Sequence, residues 1–366
     1  MEVRFYTREL DLIGIMENQT SILWRRKFYE PGTFEIYAPI TEYNAGLCKL
    51  ENLVQIEGAV EAGVIEEVLF QQENYYNKIR ISGRFMSSYL DRRVIMPRIT
   101  FTGRTELAMR QLVENIAFPL PRLRLGALQG FTETVSFQAT YKNVLTYMTK
   151  LSKSSNIGFR FRPDFTGKTI TLEMYKGEDH SAGQSDRTRI VFSEEYQNVN
   201  SAKWLVNQQL KKNLAFVGGE GEGVDRWIVW AWVLDNGERG EWDLTYLNNM
   251  HGLDRREMFV DARDIQMGEM DNNQYIKSLR ERGFQKLKEA SLATSLECTV
   301  TPIGNFIYRR DYDLGDVVTV RKESWGVSED KRITELLEVY ENGTTLVTPT
   351  LGTTLPETID WSEQNG

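Results

Sequence analysis

The chain has 366 residues, longer than the size at which a single hydrophobic core keeps growing, so two or three domains are expected. Its charged fraction of 26% and hydrophobic fraction of 41% describe an ordinary folded protein. Acidic residues (52) outnumber basic ones (44) for a net charge of −8, which argues against a protein that grips a phosphate backbone through clustered Lys and Arg.

The N-terminal segment from Met1 to Leu12 lacks a basic head followed by an apolar run, so no signal peptide is expected, and synthesis in a cytoplasm is expected with it. No apolar stretch approaches the roughly 18 residues that mark a membrane span. Alternating residues predict a strand over 3–11. The organising stretch is Ser21 to Ile40, a hairpin whose turn, Glu30-Pro31-Gly32-Thr33, fits a type II turn with positive φ at Gly32. That turn type matches strand twist poorly, so a longer loop or a bulge is expected around it. Further strands are expected over 53–57, 63–70 and 78–82, with a short helix over 85–94 leading out of the domain.

The pattern changes near Pro97. Thr105 is expected to cap a helix running to Ala117, and Thr140 a second helix carrying Val144, Leu145, Met148 and Leu151; strands over 159–162 and 169–175 then form a hairpin around Phe165–Lys168. A polar run from Gly177 to Arg187 closes this mixed portion. Beyond it, β character over 190–192, 202–206, 213–217, 226–234 and 257–260 precedes a helix over 272–293, in which Gly283 is a weak point worth about 1 kcal/mol. Strands over 296–300, 316–320, 333–340 and 345–348 finish the chain before a polar tail.

These elements predict a mainly β fold with an α+β insertion: two β-barrel or sandwich domains plus a small inserted α/β domain. The expected boundaries are 1–95 for the first β-domain, completed by about 188–199; 96–187 for the insert; 200–352 for a second β-domain with one helix; and 353–366 for the tail. An internal echo supports two related β-domains. Asn52–Glu57, a loop and Gly63–Leu69 resemble Asp316–Arg321, a loop and Arg332–Glu338, each followed by a polar turn and another strand.

No catalytic, cofactor-binding or metal-binding residue is assigned from the sequence. Gly218-Gly-Glu-Gly-Glu-Gly223 leads into a strand pattern rather than the helix N-terminus a phosphate loop requires, and reads as a hairpin loop. Thr166-Gly-Lys-Thr169 lacks the glycine of a Walker motif, which is Arg162 here. The two histidines, His180 and His251, have no partner at metal-ligand spacing. Cys48 and Cys298 read as buried free thiols. Glu66 and Glu67, or Glu194 and Glu195, are neighbours on or beside strands and are expected to point to opposite faces, so neither pair flanks a glycosidic bond. Trp230 and Trp232 share one strand face and Trp227 the other; a core or interface cluster is preferred to a glycan-stacking platform. The arginine pairs 25–26, 92–93, 255–256 and 309–310 are interleaved with acids, as at salt-bridged subunit edges.

An ordered set of segments resembles the hub, or tail-associated tip, proteins of long-tailed non-contractile (siphovirus-type) bacteriophages, relatives of baseplate hub proteins. The set comprises Trp24-Arg-Arg with Pro31-Gly-Thr-Phe-Glu35, Gly83-Arg84 with Leu90-Asp-Arg-Arg93, Arg255-Arg-Glu257 with Val260-Asp-Ala-Arg-Asp264, Arg282-Gly283 with Leu287, Tyr312-Asp-Leu-Gly-Asp316, and Arg332-Ile-Thr-Glu335. The resemblance implies two tail-tube-like β-domains around an insert, and a homotrimeric ring in the virion tail tip that continues the tail channel. It also implies contacts with the distal tail protein and with tip, fibre or tape-measure proteins. DNA would be passing cargo only, with no cofactor and no enzymatic activity in this chain. The alternative is a cell-wall polysaccharide-binding or glycan-hydrolysing tail-associated protein using the Trp227–Trp232 strand. A passage for nucleic acid further predicts acidic side chains on its inner wall.

Overall fold

The computed structural model describes residues 1–352 other than 74–75, 97, 115–118, 140, 142, 236, 241–251, 291–292, 301–304 and 342. The expected tail over 353–366, the predicted cap Thr140 and His251 lie outside the described residues. The first seven strands are β1 (Val3–Tyr6), β2 (Leu12–Met16), β3 (Ser21–Lys27), β4 (Thr33–Pro39), β5 (Leu53–Ile56), β6 (Gly63–Glu73) and β7 (Tyr76–Phe85), with helix α1 (Glu42–Leu47) after β4. On β3 and β4 alternate residues are buried, Ile22, Trp24 and Arg26 on one and Phe34, Ile36 and Ala38 on the other, as the sequence period requires.

The β3–β4 connection differs from the expected turn. Pairing ends at Arg25↔Thr33, which leaves a longer loop as anticipated, but Gly32 does not take a positive φ. Its glycine is needed for another reason: a Cβ there would lie 2.3 Å from the Arg25 carbonyl oxygen and 2.6 Å from the Phe85 ring. The loop is pressed flat against the end of β7.

The mixed segment contributes β8 (Ile99–Arg104), α2 (Thr105–Glu114), β9 (Leu123–Leu125), β10 (Thr134–Ala139), α3 (Val144–Ser155), β11 (Gly158–Asp164) and β12 (Thr169–Tyr175). The cap of α3 is Asn143, which accepts from the Thr146 amide at 3.3 Å, and not Thr140; a cap must stand directly before the first turn. The segment shares a core with the first β-unit, in which Tyr6 stacks on Phe165 and Leu90 joins Met109, Leu112 and Met148.

The remaining strands are β13 (Val191–Ser193), β14 (Val199–Asn207), β15 (Leu214–Gly218), β16 (Ile228–Val233), β17 (Arg239–Gly240), β18 (Glu257–Asp261), β19 (Ala293–Val300), β20 (Val317–Lys322), β21 (Val327–Glu341) and β22 (Thr344–Gly352), with α4 (Asn272–Glu289) between β18 and β19. Two expected boundaries shift. The stretch 188–199 does not complete the first β-unit: β13 pairs in parallel with β20, and Phe192 packs edge-on against Tyr312. Within 200–352, strands β15 to β18 leave the main sheet and form their own four-stranded sheet beneath α4. The sequence places those strands but carries no sign of which sheet they join.

Helix α4 opens with a capping box between Asp271 and Gln274 and buries Tyr275, Leu279 and Leu287. Gly283 sits where the helix touches its sheet, since a Cβ would meet the Ala231 Cβ at 2.7 Å and Val217 Cγ2 at 2.8 Å. It is a close-approach point as well as a weak helix former.

The two β-units repeat one plan. The sheet order is β3-β4-β7-β6-β5 in the first and β14-β19-β22-β21-β20 in the second, with the strands in the same chain order in each. Hairpins β6–β7 and β21–β22 match residue for residue. Ile65↔Gly83 corresponds to Ile333↔Leu351, and Glu73↔Tyr76 to Glu341↔Thr344. Each contains one bulged residue at the same place, Glu66 and Thr334. Of the echoing segments, Asn52–Glu57 and Asp316–Arg321 are in register, since Leu53↔Val64 corresponds to Val317↔Arg332, whereas Gly63–Leu69 and Arg332–Glu338, set start to start, are one residue out of step, a slip that would invert their side chains.

Candidate functional site: the junction between the two repeats

Among the described residues, the place where charge and burial concentrate is the seam between the repeats. There β3 pairs antiparallel with the second half of β21, from Ser21↔Glu341 to Lys27↔Glu335, and fuses both units into one 13-stranded sheet. Trp24, fully buried, lies 4.6 Å from Phe85 and 5.8 Å from Phe34 between ring centroids, and anchors β3 from the first core.

Arg26, only 3% exposed, reaches across this seam. It donates through Nη1 to the Tyr308 hydroxyl at 2.8 Å and to Asp313, and its Nε lies 3.5 Å from the Glu61 carboxylate. Burial opposes the charge on Arg26, yet Tyr308, Asp313 and Glu61 together outweigh it and raise its pKa. Burial pushes the Glu61 carboxyl up, with Arg26 pulling the other way. Beside them Glu338, fully buried, accepts from Tyr308 at 2.8 Å, from Arg309 at 2.9 Å and from Tyr340. Arg309 also donates to the Gly58 carbonyl at 3.0 Å. This network ties loops of both units to one strand pair; its carboxylates are engaged by cations and hydroxyls rather than turned toward an open cleft.

The groups weighed from the sequence fall elsewhere. Gly218–Gly223 is the loop between antiparallel strands β15 and β16, where Arg226 donates to the Gly218 carbonyl at 2.9 Å. Trp232 is buried, Trp230 packs edge-on against Phe216 at 4.5 Å, and Trp227 faces Tyr275 from the other side of the strand, so the three divide between two apolar clusters. His180 Nδ1 lies 2.9 Å from the Thr188 carbonyl and its Nε2 3.9 Å from Asp316. Among the described residues no three of His, Cys, Asp and Glu are placed to hold a metal. Cys48 is buried and unpaired, its thiol pushed up to about 12 by burial; the side chain of Cys298 lies outside the described residues.

One site-level expectation is corrected. The bulge brings Glu66 to the same side as Glu67: they pair with Arg84 and Arg80, which share a face of β7. Glu194 and Glu195 follow the end of β13 in a turn, so strand alternation does not apply to them. Of the arginine pairs, Arg25 and Arg26 with Arg309 do meet at the seam, whereas Arg92 pairs with Glu51 at 2.7 Å and Arg255 with Glu257. The sequence could not show Glu61 and Glu338 as members of the seam, because each sits among apolar neighbours in a strand or loop and is defined by a distant partner.

A mainly β chain built from two equivalent five-stranded units with α/β additions has the fold of phage tail proteins, and this is a phage tail-type structural protein. It belongs to the siphovirus ReqiPepy6 Gp37-like protein family, whose model matches residues 2–353. Among solved structures it is similar to the 43 kDa tail protein of prophage MuSo2 from Shewanella oneidensis, at 13% identity and a TM-score of 0.58, covering 96% of this chain and 98% of that one. It is also similar to the tail protein from Neisseria meningitidis MC58, at 14% identity, a TM-score of 0.57 and coverage of 96% and 95%. Prophage tail protein gp18 from Listeria monocytogenes EGD-e matches at 14% identity and a TM-score of 0.54, with coverage of 97% and 95%. No curated protein matches the chain. No helix among the described residues is long and apolar enough to cross a membrane.

Proposed function

We propose that this protein is a structural component of a phage tail tip or baseplate hub, present as a homotrimeric ring that continues the tail channel and connects the distal tail to tip, fibre or tape-measure proteins. The observation that carries this reading is the repeat: two units of one plan, fused edge to edge into a single sheet, are successive wall segments of a curved surface. A trimer supplies six such segments, and the genome passes through them as cargo. In this reading the chain acts without catalysis and without a cofactor, and the buried charges of the seam, Arg26, Glu61 and Glu338, serve to hold the two units together.

The sheet face turned away from the cores is the wall of the passage in this reading. Its strands carry Glu35, Glu67, Glu335 and Glu341 with Arg25, Lys27, Lys78 and Arg80, and Arg25 pairs with Glu335 and Arg80 with Glu67. Among the described residues such a wall is close to balanced rather than strongly acidic, with no basic stripe to hold a phosphate backbone. Electron microscopy of assembled tails tests the proposal. A ring at the tip with this fold repeated around an axial channel is expected, and its presence as single copies off the axis would refute it. Retention of purified cell wall by the isolated protein, lost on Trp230→Ala, would favour the polysaccharide-binding alternative instead.

A further inference from the structure

The seam within the chain joins two elements that each have an equivalent elsewhere in the repeat. Strand β3 covers residues 335–341 of β21, and the equivalents of these two elements are β14 and residues 67–73 of β6. Among the described residues both equivalents are open edges: β14 pairs only with β19, and β6 beyond Val64 pairs only with β7. Strand equivalence fixes the register. Trp24↔Phe34 in the first unit corresponds to Trp204↔Leu296 in the second, so Trp204 stands where Trp24 does. Carrying the Glu338↔Trp24 pairing over places Phe70 opposite Trp204, Leu69 opposite Leu205 and Val68 opposite Val206.

We propose that β14 of one copy pairs antiparallel with residues 67–73 of β6 of the next copy in this register, so that a second copy of this chain is the partner of both edges. The proposal rests on the ring reading above and names its contact. Its side chains support it independently of the repeat. Leu69 (38% exposed), Phe70 (54%), Leu205 (40%) and Val206 (46%) are large apolar residues left in solvent on two strand edges, and the transferred register sets them against one another or against Trp204 and Val68. The faces agree as well. Val68 and Phe70 lie opposite Ile81 and Ile79 on the core side of the sheet, the side on which Trp204 joins the second core. Where the seam inside the chain has Arg26 and Glu338, the seam between chains has Val206 and Phe70; the outer joint is apolar and the inner one ionic. Because the two edges differ, the contact is head-to-tail, which closes a ring when the rotation per copy permits.

The rival occupant of the β14 edge is β2, the opposite terminal strand of the sheet, where Leu12, Ile13 and Ile15 are also exposed. Disulfide trapping of the full chain separates the two. Under mild oxidation Leu69→Cys with Leu205→Cys is expected to give a covalent ladder on a non-reducing gel, absent from either single variant. Ile15→Cys with Leu205→Cys is expected to give none. Native mass spectrometry of the unmodified protein at high concentration is read alongside. A ring that forms without trapping at 69/205, or that traps at 15/205, overturns the register and leaves the ring reading standing. A chain that remains monomeric at high concentration and does not trap overturns the partner assignment. As a second check, Leu69→Lys or Leu205→Glu alone is expected to weaken assembly at least tenfold and the two together to restore most of it; additive loss counts against the pairing.

Discussion

Replacing Arg26 by Met tests whether the ionic cluster holds the two repeats in place. The side chain is 3% exposed, and its removal leaves Glu61, 4% exposed, without its nearest cation, whereas Asp313 at 41% exposure regains water. Breaking a buried ion pair from one side costs about 3–5 kcal/mol. Because Asp313 is rehydrated, the lower end, about 3 kcal/mol, is expected at pH 7. Burial already raises the Glu61 pKa, and losing Arg26 raises it further. The folded state then holds this proton more tightly than the unfolded chain does, so the stability lost by Arg26→Met is partly recovered as pH falls from the folded pKa toward the unfolded value near 4.3, by at most about 1.4 kcal/mol per unit. Urea unfolding at pH 7 and pH 5, with hydrogen exchange of peptides spanning 21–27 and 335–341, measures both effects. Glu61→Gln in the same background is expected to remove the pH dependence. A loss under 1 kcal/mol, or one identical at both pH values, would show that the cluster is not what fastens β3 to β21.

Gly283→Ala is expected to destabilise the α4 unit by about 1–3 kcal/mol despite the better helix propensity of Ala, since the added methyl meets Ala231 and Val217 below 3 Å; thermal unfolding gives the sign. Glu51 accepts a two-pronged hydrogen bond from Arg92 at 2.7 and 2.9 Å that holds its carboxyl below the usual range. Its contribution is therefore present above the unfolded pKa and lost as pH falls through the folded one. Glu51→Gln should lower stability at pH 7 by at most about 1 kcal/mol for this half-exposed pair and have no effect at pH 2. Cys48, with its thiol pushed up to about 12, is expected to resist alkylation at pH 8 in the folded protein and to react on unfolding, as peptide mass spectrometry would show.

Much of the frame was legible in the residues because it rests on local signals. Alternation located the β3–β4 hairpin, the strands of the echo and those of the α4 unit, and helical spacing found Tyr275 and Leu279. What escaped depends on partners far away in the chain. The turn that the sequence predicts at Gly32 needs positive φ, whereas the Phe85 ring explains the glycine; strand alternation sets Glu66 opposite Glu67 because a bulge leaves no mark in a period of two. The seam itself was the hardest to foresee. Arg26 and Glu338 look like misplaced charges on apolar strand faces until β3 and β21 are laid side by side.

The shared bulge at Glu66 and Thr334 reaches beyond pairing. An extra residue on one strand shortens its partner by comparison, so the ribbon bends there, and a sheet bent once per unit at the same height curves evenly instead of kinking. Deleting Glu66 is expected to flatten the first unit while leaving the second bent, and in the proposed ring copies of such a chain would then meet at a different angle. In the ring proposed above, the radius would thus depend on these two bulged residues.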